Sequence, residues 1–120
     1  MGNLYRFVEP LTLQLLQSKG PSCGYDLYME LHDHALTDAE IDKAALYRTL
    51  RQLEANKMVT SNWEESHIGP TRRVYKLTKT GEQHLEEWVL VLEHLSKSMA
   101  HFVRSARKSI KQPSKPPKTK

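Results

Sequence analysis

Residues 41–59, IDKAALYRTLRQLEANKMV, carry apolar positions at a helical period. Leu46, Leu50 and Leu53 recur at spacings of four and three, which makes one narrow apolar stripe. Asp42 stands where an N-cap would accept the first free backbone donors, and Asn56-Lys57 closes the far end. Away from the stripe, Lys43, Tyr47 and Arg51 follow one another at spacings of four, with Ala44 and Arg48 beside them. Upstream, residues 1–9 form a short apolar-rich arm (Leu4, Tyr5, Phe7, Val8) that needs a neighbouring surface. A first helix is predicted from Pro10 to Gly20-Pro21, with Leu11, Leu15 and Leu16 buried and Leu13 off that face, where it would meet a partner. Residues 22–34 predict a second helix with Leu27, Tyr28 and Leu31 on one face. A polar connection at 35–41 follows, in which Thr37 to Glu40 resembles a capping box.

After residue 58 the period changes to two. Val59, Ser61 and Trp63 alternate with Thr60, Asn62 and Glu64, and alternation resumes over 71–78 with Tyr75 and Leu77 pointing one way. Ser66 to Pro70 supply the turn between them. Three short helices followed by a two-stranded hairpin make a winged helix-turn-helix. The last apolar pattern is the longest. Leu85, Trp88, Leu92, Leu95, Met99 and Phe102 alternate in steps of three and four, flanked by Val89, Ser96 and Val103. A helix over about 80–107 would span roughly 42 Å at about 1.5 Å per residue, more than a three-helix domain covers. A second copy of the same seam supplies the missing surface, and the result is a homodimer. The alternative is a helix folded back on its own domain. The predicted class is mostly α with a small β-hairpin. A winged helix-turn-helix domain (1–79) precedes a long C-terminal dimerisation helix (80–108) and a disordered basic tail (109–120).

Charge sharpens this picture. Residues 1–40 hold two bases and six acids, whereas 41–80 hold eight bases and four acids. The positive charge therefore lies on the third helix and the hairpin, where Arg72 and Arg73 stand near the turn. Three bases, a phenol and a small residue on an exposed helix face suit phosphates and base edges in a major groove, and bases beside a wing suit phosphate or minor-groove contact. A merely solvated helix and hairpin are the plain alternatives. From Arg104 onward the chain has seven bases and no acid, a tail that either adds sequence-independent DNA affinity or only solubilises. A single cysteine, Cys23, excludes an intrachain disulfide and fits a reducing compartment. With no membrane-length apolar run and no signal-peptide core, the expected location is cytoplasmic.

Chemistry for catalysis is not legible. His32 and His34 are two apart and point to different helix faces, and His94 and His101 share a face without a third ligand at spacing. There is no phosphate loop, serine elbow or thiolate zinc motif. No enzyme activity, metal or cofactor is expected.

The ordered set Gly24-Tyr25, Leu46-Tyr47-x-x-Leu50-x-x-Leu53-Glu54, Gly69-Pro70-x-Arg72 and Tyr75-x-Leu77-Thr78-x-x-Gly81 resembles the PadR-type transcriptional regulators, from about Leu11 to Trp88. The resemblance implies a winged-helix repressor that dimerises through its long C-terminal helix and binds double-stranded DNA. It puts Tyr47 on the recognition helix and Gly69-Pro70 with Arg72 on the wing. Some members bind planar drug-like or aromatic effectors between the subunits, which makes Trp88 the candidate stacking surface, though a tryptophan on such a seam also serves simply as packing. Trp63 is expected to be structural. Asn56-Lys57 departs from the family glycine that ends the recognition helix; asparagine also adopts the left-handed cap conformation. Asp38, Glu40 and Asp42 ahead of that helix depart in charge. The expected DNA face is Lys43, Ala44, Tyr47, Arg48, Arg51, Arg72 and Arg73, and the expected site a palindrome with half-sites about one turn, roughly 34 Å, apart. Two rivals belong to other classes: a winged-helix protein-interaction module that never reads DNA, and a small-molecule sensor working through Trp88.

Overall fold

A computed structural model describes residues 5–33, 42–65 and 69–111. The elements run α1 (Tyr5–Lys19), β1 (Ser22–Cys23), α2 (Gly24–Asp33), α3 (Lys43–Ala55), β2 (Val59–Glu64), β3 (Arg72–Leu77) and α4 (Lys79–Lys111). This is a mostly helical winged helix with a long C-terminal helix. Leu4, the connection at 35–41 with Thr37 to Glu40, His34, the turn residues 66–68 and the tail from residue 112 lie outside the described residues.

Three helices converge on a core of Leu13, Leu27, Leu31, Leu46, Leu50 and Leu53, each no more than 1% exposed. Leu13 corrects the reading that placed it off the buried face. Its helix packs against α2, α3 and β3 together, so α1 is covered on more than one side and a single apolar stripe underestimates its core. The expected separate arm is also corrected, because its residues from Tyr5 on are the opening turns of α1. Pro10 lies inside that helix and forfeits the bond its amide would give the Arg6 carbonyl. Burial of Val8 and Pro10 offsets the loss.

The second helix begins at Gly24, not at residue 22. After Gly20 (φ 86°) and Pro21, the pair Ser22-Cys23 joins the hairpin as a third strand opposite Tyr75 and Val74. The sheet is antiparallel in the order β1-β3-β2, with Val59 opposite Leu77 and Glu64 opposite Arg72.

The end of α3 and the start of α4 lock together through backbone groups. Met58 N–H donates to the Leu53 carbonyl at 2.8 Å and Lys57 N–H to the Glu54 carbonyl at 3.0 Å, the two bonds of a Schellman cap. The left-handed residue is Lys57 (φ 62°), while Asn56 stays at φ −91°, so the cap sits one residue later than the asparagine reading had it. Thr78 then caps α4: its Oγ1 accepts from Gly81 N–H at 3.0 Å and donates to the Lys57 carbonyl at 2.7 Å. Thr78 N–H reaches the Met58 carbonyl at 3.0 Å. Gly81 is buried so tightly that an added Cβ would lie 2.1 Å from the Met58 oxygen. The Leu-Thr-x-x-Gly run is therefore a joint between two helices. Farther along, Val89, Leu90, Val91, Leu95, Met99, Phe102 and Val103 are exposed in the single chain.

Candidate nucleic-acid interface

Helix α3 is held from behind and open in front. Asp42 accepts from Ala44 N–H at 3.2 Å and so fixes the start of the helix. Ala45, Leu46, Leu50 and Leu53 are buried, and Lys43, Ala44, Arg48 and Arg51 are exposed. Tyr47 is half-buried between these faces. Its ring fills the space above Gly24 at the start of α2, where an added Cβ would lie 2.6 Å from Cε1 and 2.7 Å from the phenol oxygen. Lys43 sits with Nζ 5.3 Å from the centroid of the Tyr28 ring, a contact that leaves its charge in solvent.

The two wing arginines differ. Arg72 is exposed, with Nη1 3.9 Å from the Cys23 sulfur. Arg73 turns towards α3: Nη2 lies 3.1 Å from Glu54 Oε1, and Nε donates to Ser61 Oγ at 2.9 Å. Ser61 in turn donates to Glu54 Oε2 at 2.6 Å. The Arg73 guanidinium also stands 5.8 Å from the ring centroids of both Trp63 and Tyr75. Arg73 thus ties the hairpin to α3, with part of its charge answered by Glu54. Burial raises the Tyr75 phenol above its ordinary value, with Arg73 opposing, so the hydroxyl stays protonated well past neutral pH.

Between α3, the first turn of α2 and the wing lies an open cleft of about 680 Å³. The structure brings Tyr47, Arg51, Arg72 and Arg73 together on its walls, whereas Lys43, Ala44 and Arg48 do not line it. Tyr25, Trp63 and Tyr75 also line it, with Cys23, Gly24 and Asp26 at the α2 end. None of these six was singled out for the site from sequence. Trp63, read as structural, is 66% exposed. Its place in a period-two segment was legible, but the cleft is built from three separated segments and no periodicity reports it.

Residues 12–87 match, as one block, the transcriptional regulator PadR-like family. The chain belongs to that family. Solved structures agree. A transcriptional regulator from Clostridium thermocellum is similar at a TM-score of 0.72 and 25% identity, covering 81% of this chain and 90% of that one. A PadR family transcriptional regulator from Eggerthella lenta is similar at 0.64 and 27% identity, covering 78% and 80%. A PadR family transcription regulator from Clostridium difficile shares the fold at 0.71 and 20% identity, covering 81% and 98%. The protein is a winged-helix DNA-binding transcriptional regulator. Among the described residues no helix is long and apolar enough to cross a membrane, and no group of three or more His, Cys, Asp or Glu is placed to hold a metal ion.

Proposed function

We propose that this regulator is a repressor that binds a palindromic operator in double-stranded DNA as a homodimer, in the cytoplasm. The observation that carries the reading is the outer face of α3, where Lys43, Ala44, Arg48 and Arg51 are exposed in front of a buried leucine stripe. Such a face admits the close approach that a major groove requires. Arg72 contacts a phosphate from the wing, while Arg73 acts through its tie to Glu54 by setting the angle of the wing. The α4 seam of Leu85, Trp88, Leu92, Leu95, Met99 and Phe102 pairs with its copy. Trp88, half-buried on that seam, receives a planar aromatic effector that releases the DNA.

The deciding experiment is binding to mixed-sequence duplex as a function of salt. Micromolar or tighter binding that weakens steeply with salt is the expected result, because each neutralised phosphate releases counterions. Arg48→Glu should lose at least about tenfold in affinity and flatten the salt slope. Normal binding by that variant sinks the assignment of this face. Absence of binding even at low salt sinks the DNA reading as a whole.

A further inference from the structure

On helix grounds alone, lysine is a poor choice for the first turn of α3. Lys43 opens the helix at the end where the backbone dipole is positive, and that turn contains no acid. The preceding residue, Asp42, has Oδ1 engaged with the Ala44 amide at 3.2 Å. What receives the ammonium is a ring on another helix. Tyr28 of α2 is half-buried, and its centroid lies 5.3 Å from Lys43 Nζ. At that distance the face of the ring attracts the cation without taking it out of water. An exposed lysine otherwise samples many rotamers and loses that freedom when it meets a partner. Lys43 therefore weakens its own helix and is nonetheless held in place by a neighbouring one. Local rules are broken in this way at functional positions. Lys43 also stands at the leading end of the face that Tyr47 and Arg51 continue at spacings of four.

We propose that Tyr28 is a positioning residue for DNA binding: its ring holds the Lys43 ammonium where the first turn of α3 meets a phosphate. Tyr28 itself touches no DNA. The positive end of the α3 dipole, which opposes the lysine in the free protein, acts with it once a phosphate arrives. Because the side chain is already held, less rotamer freedom is lost on binding. The inference rests on the DNA reading above and gives α2 a share in it.

The test uses the full chain and mixed-sequence duplex, titrated across a range of salt, with Tyr28→Phe, Tyr28→Leu, Lys43→Gln and the double variant Tyr28→Leu/Lys43→Gln. Tyr28→Phe keeps the ring and should bind as the wild type does. Tyr28→Leu should weaken binding about threefold per subunit, roughly tenfold for two subunits on one duplex. Its salt slope should stay unchanged, because Lys43 still reaches the phosphate after losing its support. Lys43→Gln should instead lower that slope by about one per subunit. In the double variant the loss due to Tyr28→Leu should vanish, as coupling through one side chain requires. Additive losses, full binding by Tyr28→Leu, or an equal loss in Tyr28→Phe overturns the proposal. A purely structural role for the ring would give additive losses and a lowered urea midpoint. The contact is also read without any variant that removes the ring. The Lys43 ε-methylene protons, assigned with Lys43→Gln, should lie upfield in the free wild-type protein, and their absence from that region overturns the proposal too. A wild type that binds no duplex even at low salt sinks the DNA reading and this role together. One that binds, with additive losses, sinks this role alone.

Discussion

Single residues set the recognition surface from behind. Gly24 is buried at the start of α2, and the absence of its side chain leaves room for the Tyr47 ring, whose nearest atoms would be 2.6–2.9 Å from a Cβ. Gly24→Ala must therefore move the phenol or the first turn of α2. The expected outcome is about a tenfold loss of DNA affinity that disappears when Tyr47 is already alanine, measured as a double-mutant cycle. Additive losses would show that Gly24 acts elsewhere. Lys57 is the opposite case, a side chain at a left-handed position where glycine is favoured. Lys57→Gly should raise stability by about 0.5–1 kcal/mol, the relief of strain less the greater freedom of the unfolded glycine chain. Urea unfolding at fixed protein concentration measures it. The exposed face of α3 (Lys43, Ala44, Arg48 and Arg51) was legible because the helix has two chemically different sides. The role of Arg73 was not, because its partner Glu54 lies 19 positions away and only the packing of the hairpin against α3, through β2, joins them.

At the scale of elements, the joint between α3 and α4 decides how firmly the wing and the long helix start from the domain. Three features meet within one turn: the Schellman cap at Lys57-Met58, the Thr78 cap and the glycine seat against the Met58 carbonyl. Gly81→Ala places a methyl group 2.1 Å from that oxygen and 2.7 Å from Leu77 Cδ1, with rigid backbone on one side. A cost of about 3 kcal/mol is expected, at the upper end for overpacking, and a urea midpoint unchanged from wild type would show that α4 shifts freely at its start. The elements themselves were largely readable. Helical and strand periods located α2, α3, the hairpin and α4, whose ends extend to Lys79 and Lys111. Two failures share a cause. The pair Ser22-Cys23 is too short to show a period, and Pro10 reads as a helix start unless burial of the turns before it is known. In both places tertiary contact overrides the local signal.

At the scale of the whole molecule, α4 is the feature a single chain leaves unsatisfied. It is 33 residues long, roughly 50 Å at about 1.5 Å per residue. Leu95, Met99 and Phe102 of the expected seam are 41–68% exposed, and Val89 and Val103 beside them are 55% and 44% exposed. A stripe of that length repeating at heptad spacing favours an identical stripe, because a second copy matches its spacing and covers it by symmetry. Leu92→Asp puts a carboxylate in the middle of the proposed seam, where pairing would bury it without a partner. Sedimentation should then find a monomer. The effect on DNA follows from the twofold arrangement proposed above. In that proposed dimer two α3 helices joined through α4 would bind the second half-site at a high effective concentration, so separating them should cost operator affinity about a hundredfold or more. The slope of log affinity against log salt should fall to about half, since half the phosphate contacts are lost. A monomer with undiminished affinity would mean that one subunit suffices and that the operator is not read as a palindrome. A dimer unchanged by Leu92→Asp would instead place the subunit contact elsewhere and leave the exposed face of α4 for another protein.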